Sequence, residues 1–370
     1  MSLLEEINQR AIDLRVPLSV QLDVTYRCNE RCIHCYLDHH DRGEMTTDEI
    51  IGVLDQLADA GTFFLTFSGG EVFLRRDFLK LVEHARQLLF NVKIKTNAVL
   101  IREAQAEQIR ELGVDRVQIS VYSHRPEVHD AITHLPGSLE RTLRGVRLLT
   151  AHGVRVSIAN VLMNRNIGDQ AGVQELAREL GVHYTVDPTI TPHMDGDRTI
   201  LSLRIPSTDL ERILHDETLV GDVQEFCAPP APVGADILDG YPCSAGHTFA
   251  YISPYAEVFP CVQFPLPCGN LRQQRFADIW KASQALNQVR SIRARDLEVC
   301  SECSHVGTCT RCPGLAYMEG NMRGPSSADC EKSWLRTGIR SANMIRKTEF
   351  RPSELVQIRC ASPQESSLAS

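Results

Sequence analysis

Between residues 18 and 190, short β-branched runs alternate with longer stretches of helical period, and this alternation restricts the chain to very few folds. Strands are predicted at Leu18–Val24, Phe63–Phe67, Val92–Lys95, Arg116–Tyr122, Val154–Val161 and His183–Asp187. Helices are predicted between them, among others at Thr47–Ala60, Asp77–Leu89 and Leu139–His152. Strands separated by helices pair in parallel, because a parallel neighbour is reached only through a crossover. Six such units make an open barrel, shorter than the closed eight-fold form. Parallel barrels carry their chemistry on the loops leaving the carboxyl ends of the strands.

Three features fall on such loops. Cys28, Cys32 and Cys35 follow the first strand, Ser68-Gly69-Gly70-Glu71 the second and Thr96-Asn97-Ala98 the third. Three thiolates can hold three irons of a [4Fe–4S] cube, leaving the fourth iron for an exogenous ligand, as an enzyme requires. A zinc knot or scattered buried thiols are the bland alternatives. The paired glycines let the backbone approach a ligand, although a Gly-Gly pair is often only a turn.

The first twenty residues carry Glu5, Glu6, Arg10, Asp13 and Arg15, so they lack the apolar core of a secretion signal. No uncharged apolar run approaches a membrane span. A cytoplasmic protein is expected, and there the chain's 13 cysteines stay reduced, which favours metal over disulfides. With 39 basic against 47 acidic residues, a net charge of −8 argues against a nucleic-acid partner.

From 191 to 242 the pattern loosens around Pro192, Pro206, Pro229, Pro230 and Pro232, as in a bridging segment. Beyond Cys243 the chain is rich in cysteine, glycine and proline, with little helical period apart from Phe276–Arg290. Such a region is expected to build little apolar core and to rely on metal for order. It holds Cys300-x2-Cys303-x5-Cys309-x2-Cys312 and Cys330, with Cys243 and Cys261 upstream. The polar tail beyond Arg351 is expected to be mobile.

The triad, followed one strand later by Gly69-Gly70-Glu71, resembles the radical S-adenosylmethionine (radical SAM) superfamily. The second cysteine group resembles its SPASM extension, together with Phe259-Pro260-Cys261, Gly269-Asn270-Leu271, Ile279-Trp280 and Cys312-Pro313-Gly314-Leu315-Ala316. The resemblance covers residues 15 to 335. It implies an α/β fold: a partial (β/α)6 TIM-like barrel (18–190) after an N-terminal extension (1–17), then the bridge (191–242), a small cysteine-rich SPASM domain (243–335) and a C-terminal helix or tail (336–370).

It further implies S-adenosylmethionine and three [4Fe–4S] clusters. Cys28, Cys32 and Cys35 would hold the SAM-cleaving cluster; Cys300, Cys303, Cys309 and Cys330 a complete auxiliary one; and Cys243, Cys261 and Cys312 three positions of another. Phe249 stands where some relatives have a further cysteine, so Cys268 or Cys227 closes that cluster, or it stays incomplete or [2Fe–2S]. The spacing of two residues between Cys309 and Cys312 departs from the familiar three. Ser68, Gly69, Gly70, Glu71, Asn97 and Ser120 are the implied cosubstrate residues, with Ser157 or Asn160 presented from the fifth strand. Glu127, Asp130 and Arg141 match a family loop but read equally as a capped helix start. His34, His39 and His40 are more simply stacking or hydrogen-bonding groups than ligands, and Asp195-Gly196-Asp197 a turn. Tyr122, Asp187 and Cys227 are candidates for the unknown catalytic residue, and Cys360 is a bystander.

The implied activity is reductive cleavage of S-adenosylmethionine to a 5′-deoxyadenosyl radical that takes a hydrogen from substrate. The leading expectation is oxidation, epimerisation or crosslinking of a ribosomally synthesised peptide, with flavodoxin or ferredoxin as reductant. About twenty residues precede the first strand, too few for a fused leader-binding domain, so a separate leader-binding partner or the enzyme's own surface is expected to take the leader. The alternatives are a small-molecule oxidase or decarboxylase, acting on a sugar or a tetrapyrrole, and a non-enzymatic iron–sulfur carrier or zinc protein.

Overall fold

The computed structural model describes residues 3–341; Cys360 and most of the expected tail lie outside them. Six parallel strands follow the predicted order: β1 (Ser19–Thr25), β2 (Phe64–Gly69), β3 (Asn91–Thr96), β4 (Arg116–Ser120), β5 (Val156–Val161) and β6 (His183–Asp187). Each intervening helix is written in the sequence. Thr46 caps Thr47–Asp59 with a reciprocal box, its hydroxyl accepting from the Glu49 amide while the Glu49 carboxylate accepts from its own. Such a cap contributes about 1 kcal/mol. Ile50, Val53, Leu54 and Leu57 then fall on one stripe and are buried.

Every crossover lays a helix on the same face of the sheet, and the extra helix of the fourth, Pro126–Thr133, packs with Tyr122 in a separate cluster. Val20, Leu22 and Val24 of β1, Leu65 and Phe67 of β2, Ile94 of β3, Ile119 of β4 and Ile158 of β5 share one apolar cluster with helix residues such as Leu54, Leu81, Ile109 and Val146. A doubly wound sheet would divide its helices between two faces; this one keeps the other face for a lumen.

Strict alternation hands that lumen a polar lining. Gln21, Thr66, Lys93 and Arg116 lie abreast in one layer. In the next, Asp23 pairs with Ser68 and Lys95 with Gln118, which pairs with Ser157. Ala159 and Val161 are the apolar exceptions on β5.

The sheet does not end with the barrel. Strand β7 (Phe249–Ile252) pairs in parallel with β1, and β8 (Glu257–Phe259) and β9 (Gly269–Asn270) continue antiparallel, giving the order β6-β5-β4-β3-β2-β1-β7-β8-β9. The region beyond Cys243 was expected to build little core. Instead Ala250, Ile252, Val258, Phe276, Ile279 and Trp280 join the main apolar cluster, because they extend an existing core rather than found one. The predicted helix Phe276–Arg290 is two, Phe276–Ala282 and Gln284–Arg290, parted at Ser283, which caps the second. The bridge is helical rather than loose: Ser207–Leu214 buries Leu210, Ile213 and Leu214 with Leu335 of the helix Ser327–Thr337.

Candidate functional site

The cysteine loop is fixed at both ends by groups other than cysteine. At its start the Glu44 carboxylate accepts from the Thr25 hydroxyl (2.7 Å), the Tyr26 amide (2.7 Å) and the Arg27 guanidinium (3.3 Å). Further on, the amides of Arg31 and Ile33 donate to the carbonyls of Thr133 and Ile132 at the end of the helix Pro126–Thr133. Cys28, Cys32 and Cys35 are half-buried and within electrostatic reach of one another. Burial raises the pKa of all three thiols, Cys28 to about 12, so they need a bound metal to ionise near neutrality.

Buried polar atoms around the triad lack protein partners: Asn29 Nδ2, Glu30 Oε1 and His34 Nδ1. Such atoms are costly unless something else meets them, which suits a ligand-bearing cluster seated there. His34 packs edge-on against Tyr122 at 4.6 Å, and burial lowers its pKa to about 4; His39 contacts the Tyr26 carbonyl, and His40 is exposed.

Gly69 and Gly70 are demanded by the triad loop itself. A Cβ on Gly69 would sit 2.1 Å from the Thr25 carbonyl oxygen, and one on Gly70 2.3 Å from that of Arg27. In return, the Gly70 and Glu71 amides donate to those two carbonyls. Gly69 also has φ +131°, outside the ordinary range of L residues. Glu71 is fully buried and accepts from the Phe73 amide (3.0 Å), the Thr96 hydroxyl (2.8 Å) and the Asn97 amide (2.8 Å). Its carboxylate therefore locks the β2 loop to the end of β3. Asn97 reaches back to the triad, its side-chain amide lying 2.9 Å from Asn29 Oδ1 and 3.9 Å from Cys28 Sγ.

The other cosubstrate candidates separate. Ser68, Ser120 and Ser157 fall on the lumen face. Asn160 has the opposite parity, and its side chain is taken by the Tyr184 hydroxyl (3.2 Å) and Asn166 (3.4 Å), away from the triad. Asp130 caps the following helix, accepting from the Ser138 hydroxyl and the Leu139 amide, so this stretch is a helix start. Arg141 bonds the carbonyls of Pro136 and Gly137, and Glu127 pairs with Arg125. Of the catalytic candidates, Tyr122 stacks on His129 and shares an apolar cluster with Cys32, Asp187 is exposed at the end of β6, and Cys227 stands apart, 3.5 Å from the Leu214 carbonyl.

The remaining cysteines form two groups. Cys300, Cys303, Cys309 and Cys330 line a cavity of about 240 Å³. In its wall, Arg311 Nη1, His305 Nδ1 and Ser326 Oγ are buried without protein partners, again the setting of a bound group. Cys243, Cys261 and Cys312 gather separately, with burial pushing Cys261 up to about 11. Cys268 belongs to neither: it packs in the barrel core, its thiol 3.3 Å from the Leu266 carbonyl. Both sets suit iron–sulfur clusters in donor type. Glu44, Lys95 and Gln263 went unmarked in the sequence; alternation along β3 singles out Lys95, whereas nothing local flags the other two.

Residues 22–177 match the model of the radical SAM superfamily, and residues 243–304 that of SPASM, an iron–sulfur cluster-binding domain. The AdoMet-dependent heme synthase of Methanosarcina barkeri is 30% identical over 329 residues, spanning 81% of this chain and 92% of the relative. Mycofactocin maturase MftC of Mycobacterium tuberculosis is 29% identical over 318 residues, spanning 82% and 80%. SuiB of Streptococcus suis, solved with its precursor peptide SuiA, shares the fold with a TM-score of 0.69 at 16% identity, over 87% of this chain and 78% of that one. With the triad, the glycine loop and two further thiol groups arranged on an open parallel barrel, the chain belongs to the radical SAM superfamily as an enzyme carrying a SPASM iron–sulfur domain.

Proposed function

We propose that this enzyme modifies a ribosomally synthesised peptide whose reacting residue enters the barrel lumen. Cys28, Cys32 and Cys35 hold the cluster that cleaves S-adenosylmethionine, and Ser68, Gly69, Gly70, Asn97 and Ser120 line the cosubstrate's place. A cluster held by those thiols would supply the one-electron reduction that turns the cosubstrate into a hydrogen-abstracting 5′-deoxyadenosyl radical. The observation that carries the substrate assignment is the lumen lining. Gln21, Thr66, Lys93, Lys95, Arg116, Gln118 and Ser157 offer hydrogen-bond partners at successive layers, as a peptide's amides and polar side chains require. A scaffold of this fold holds a precursor peptide in SuiB.

A second reading, oxidative decarboxylation of a tetrapyrrole side chain, is favoured by the heme synthase relative, which at 30% identity over 92% of its length exceeds the maturase's 29% over 80%. The lumen's cations suit its carboxylates, but its polar walls offer a flat macrocycle little apolar surface. The test supplies anaerobically reconstituted enzyme, reductant and S-adenosylmethionine with either peptides encoded by short reading frames beside its gene or a carboxylated iron tetrapyrrole. A change in a peptide, read as a mass shift or, for an epimerisation, as deuterium taken up from heavy water, and requiring all three cysteines of the triad, is expected. Loss of carbon dioxide from the tetrapyrrole with every peptide unchanged would establish the second reading. A flavodoxin or ferredoxin is the proposed electron donor, and a separate small protein the leader-binding partner.

A further inference from the structure

Gln263 stands two residues after Cys261 and reaches Cys312 with its side chain, in a thiol group that lacks a fourth cysteine. Its side-chain oxygen lies 3.8 Å from Cys312 Sγ. The amide's orientation is fixed from the other end, where Nε2 donates to the Thr191 hydroxyl at 2.7 Å. The main chain is fixed as well. Phe264 closes a turn back to the Cys261 carbonyl at 3.0 Å, and a Cβ on Gly314 would stand 2.1 Å from the Gln263 carbonyl oxygen. The helix Pro313–Met318, which begins just after Cys312, therefore presses directly on Gln263.

The spare cysteines among the described residues are committed elsewhere. Cys268 is buried in the barrel core beside Leu266, and Cys227 lies against Leu214 on the bridge. We infer that the side-chain oxygen of Gln263 is the fourth protein ligand of the auxiliary cluster held by Cys243, Cys261 and Cys312, and that exogenous ligands displace it. This inference rests on the reading of those cysteines as cluster ligands.

A neutral carboxamide oxygen is a harder, weaker partner for iron than a thiolate. It leaves the cluster one negative charge poorer, which raises its reduction potential. It also makes one iron exchangeable, since a small anion has only a neutral ligand to displace.

The test uses the full chain carrying the Cys28/Cys32/Cys35→Ala changes, so that the triad's own open iron does not respond. About eight irons per chain are expected. Cyanide is then expected to change the electron paramagnetic resonance spectrum of one of the two reduced clusters. Gln263→Cys should abolish that response and lower the same cluster's potential, whereas Gln263→Ala should alter its spectrum before cyanide is added. Cys227→Ala, Cys268→Ala and Cys360→Ala should each keep all the iron and the cyanide response. Eight irons with no cyanide response, or loss of iron or an altered spectrum in one of those three thiol variants, overturns the Gln263 assignment alone. Iron near four per chain, the content of a single cube, or zinc in its place, overturns the cluster reading beneath it.

Discussion

Lys95 stands at a strand position where a closed barrel of this width would place an aliphatic side chain. It faces the lumen two residues after Lys93, abreast of Gln118 and near Asp23, and its ammonium donates to Gln21 Oε1 at 3.0 Å. Burial lowers its pKa, with Asp23 pulling the other way. A cation held there by a neutral amide remains available to an anionic or carbonyl group of substrate. Lys95→Met is therefore expected to reduce kcat/KM for the substrate by about 10- to 100-fold, the worth of a charged hydrogen bond. Substrate-independent formation of 5′-deoxyadenosine should stay as in wild type; parallel loss of both activities would place Lys95 in the cosubstrate site instead.

Its neighbour Asp23 gives a pH signature. Burial raises this carboxyl from its ordinary 3.8 to about 6, against hydrogen bonds from Gln21 and Tyr251 that favour the charged form. The unfolded chain therefore releases the proton first. Between about pH 4 and 6 the native state binds more protons, so stability falls as pH rises, and the charged form costs about 3 kcal/mol above that window. The stability difference between wild type and Asp23→Asn should shift by that amount across the window in denaturant titrations. Curves that run parallel would show that Asp23 keeps its ordinary value in the fold.

At the scale of elements, the β2 loop is built against the cysteine loop rather than beside it. With only 2.3 Å between a Gly70 Cβ and the Arg27 carbonyl, Gly70→Ala must push the two loops apart, at a cost of about 1–3 kcal/mol. The expected result is at least tenfold weaker S-adenosylmethionine binding with the auxiliary clusters still loaded, read by equilibrium dialysis and iron content. Unchanged affinity would mean that this contact does not shape the site. The Gly-Gly pair was legible because two adjacent residues without side chains at a strand end mark a close approach of backbone. The barrel strands were legible to within about two residues from their β-branched runs. On β5 the sequence left Ser157 and Asn160 open, and only the pairing register separates them, turning Ser157 to the lumen and Asn160 to Tyr184. Gln263 left no local signal, since an amide between cysteines looks like any other loop residue until Cys312 is brought beside it from 49 positions away.

Across the whole molecule, the feature hidden from the sequence is the parallel pairing of β7 with β1. A four-residue strand, Phe249–Ile252, has too little length to show a period, and its partner lies 230 positions earlier at Ser19. Composition misled in the same place, because cysteine, glycine and proline suggested a metal-ordered appendage, whereas Phe276, Ile279 and Trp280 pack into the barrel's own core. Trp280 even donates its indole N–H to the Arg15 carbonyl at 2.6 Å, tying the C-terminal part to the residues just before β1. Since β1 also leads straight into the triad loop, damage beyond Cys243 should be felt at Cys28. Phe276 is fully buried in the shared cluster, and Phe276→Ala is expected to cost about 3–5 kcal/mol. The consequence to measure is cooperativity: in calorimetry on the loaded protein, wild type and variant should each unfold in one transition, and the variant should lose S-adenosylmethionine cleavage at the temperature where its auxiliary clusters bleach. Two separated transitions, with the barrel and its cleavage activity outlasting the C-terminal part, would show that the continuous sheet does not couple them.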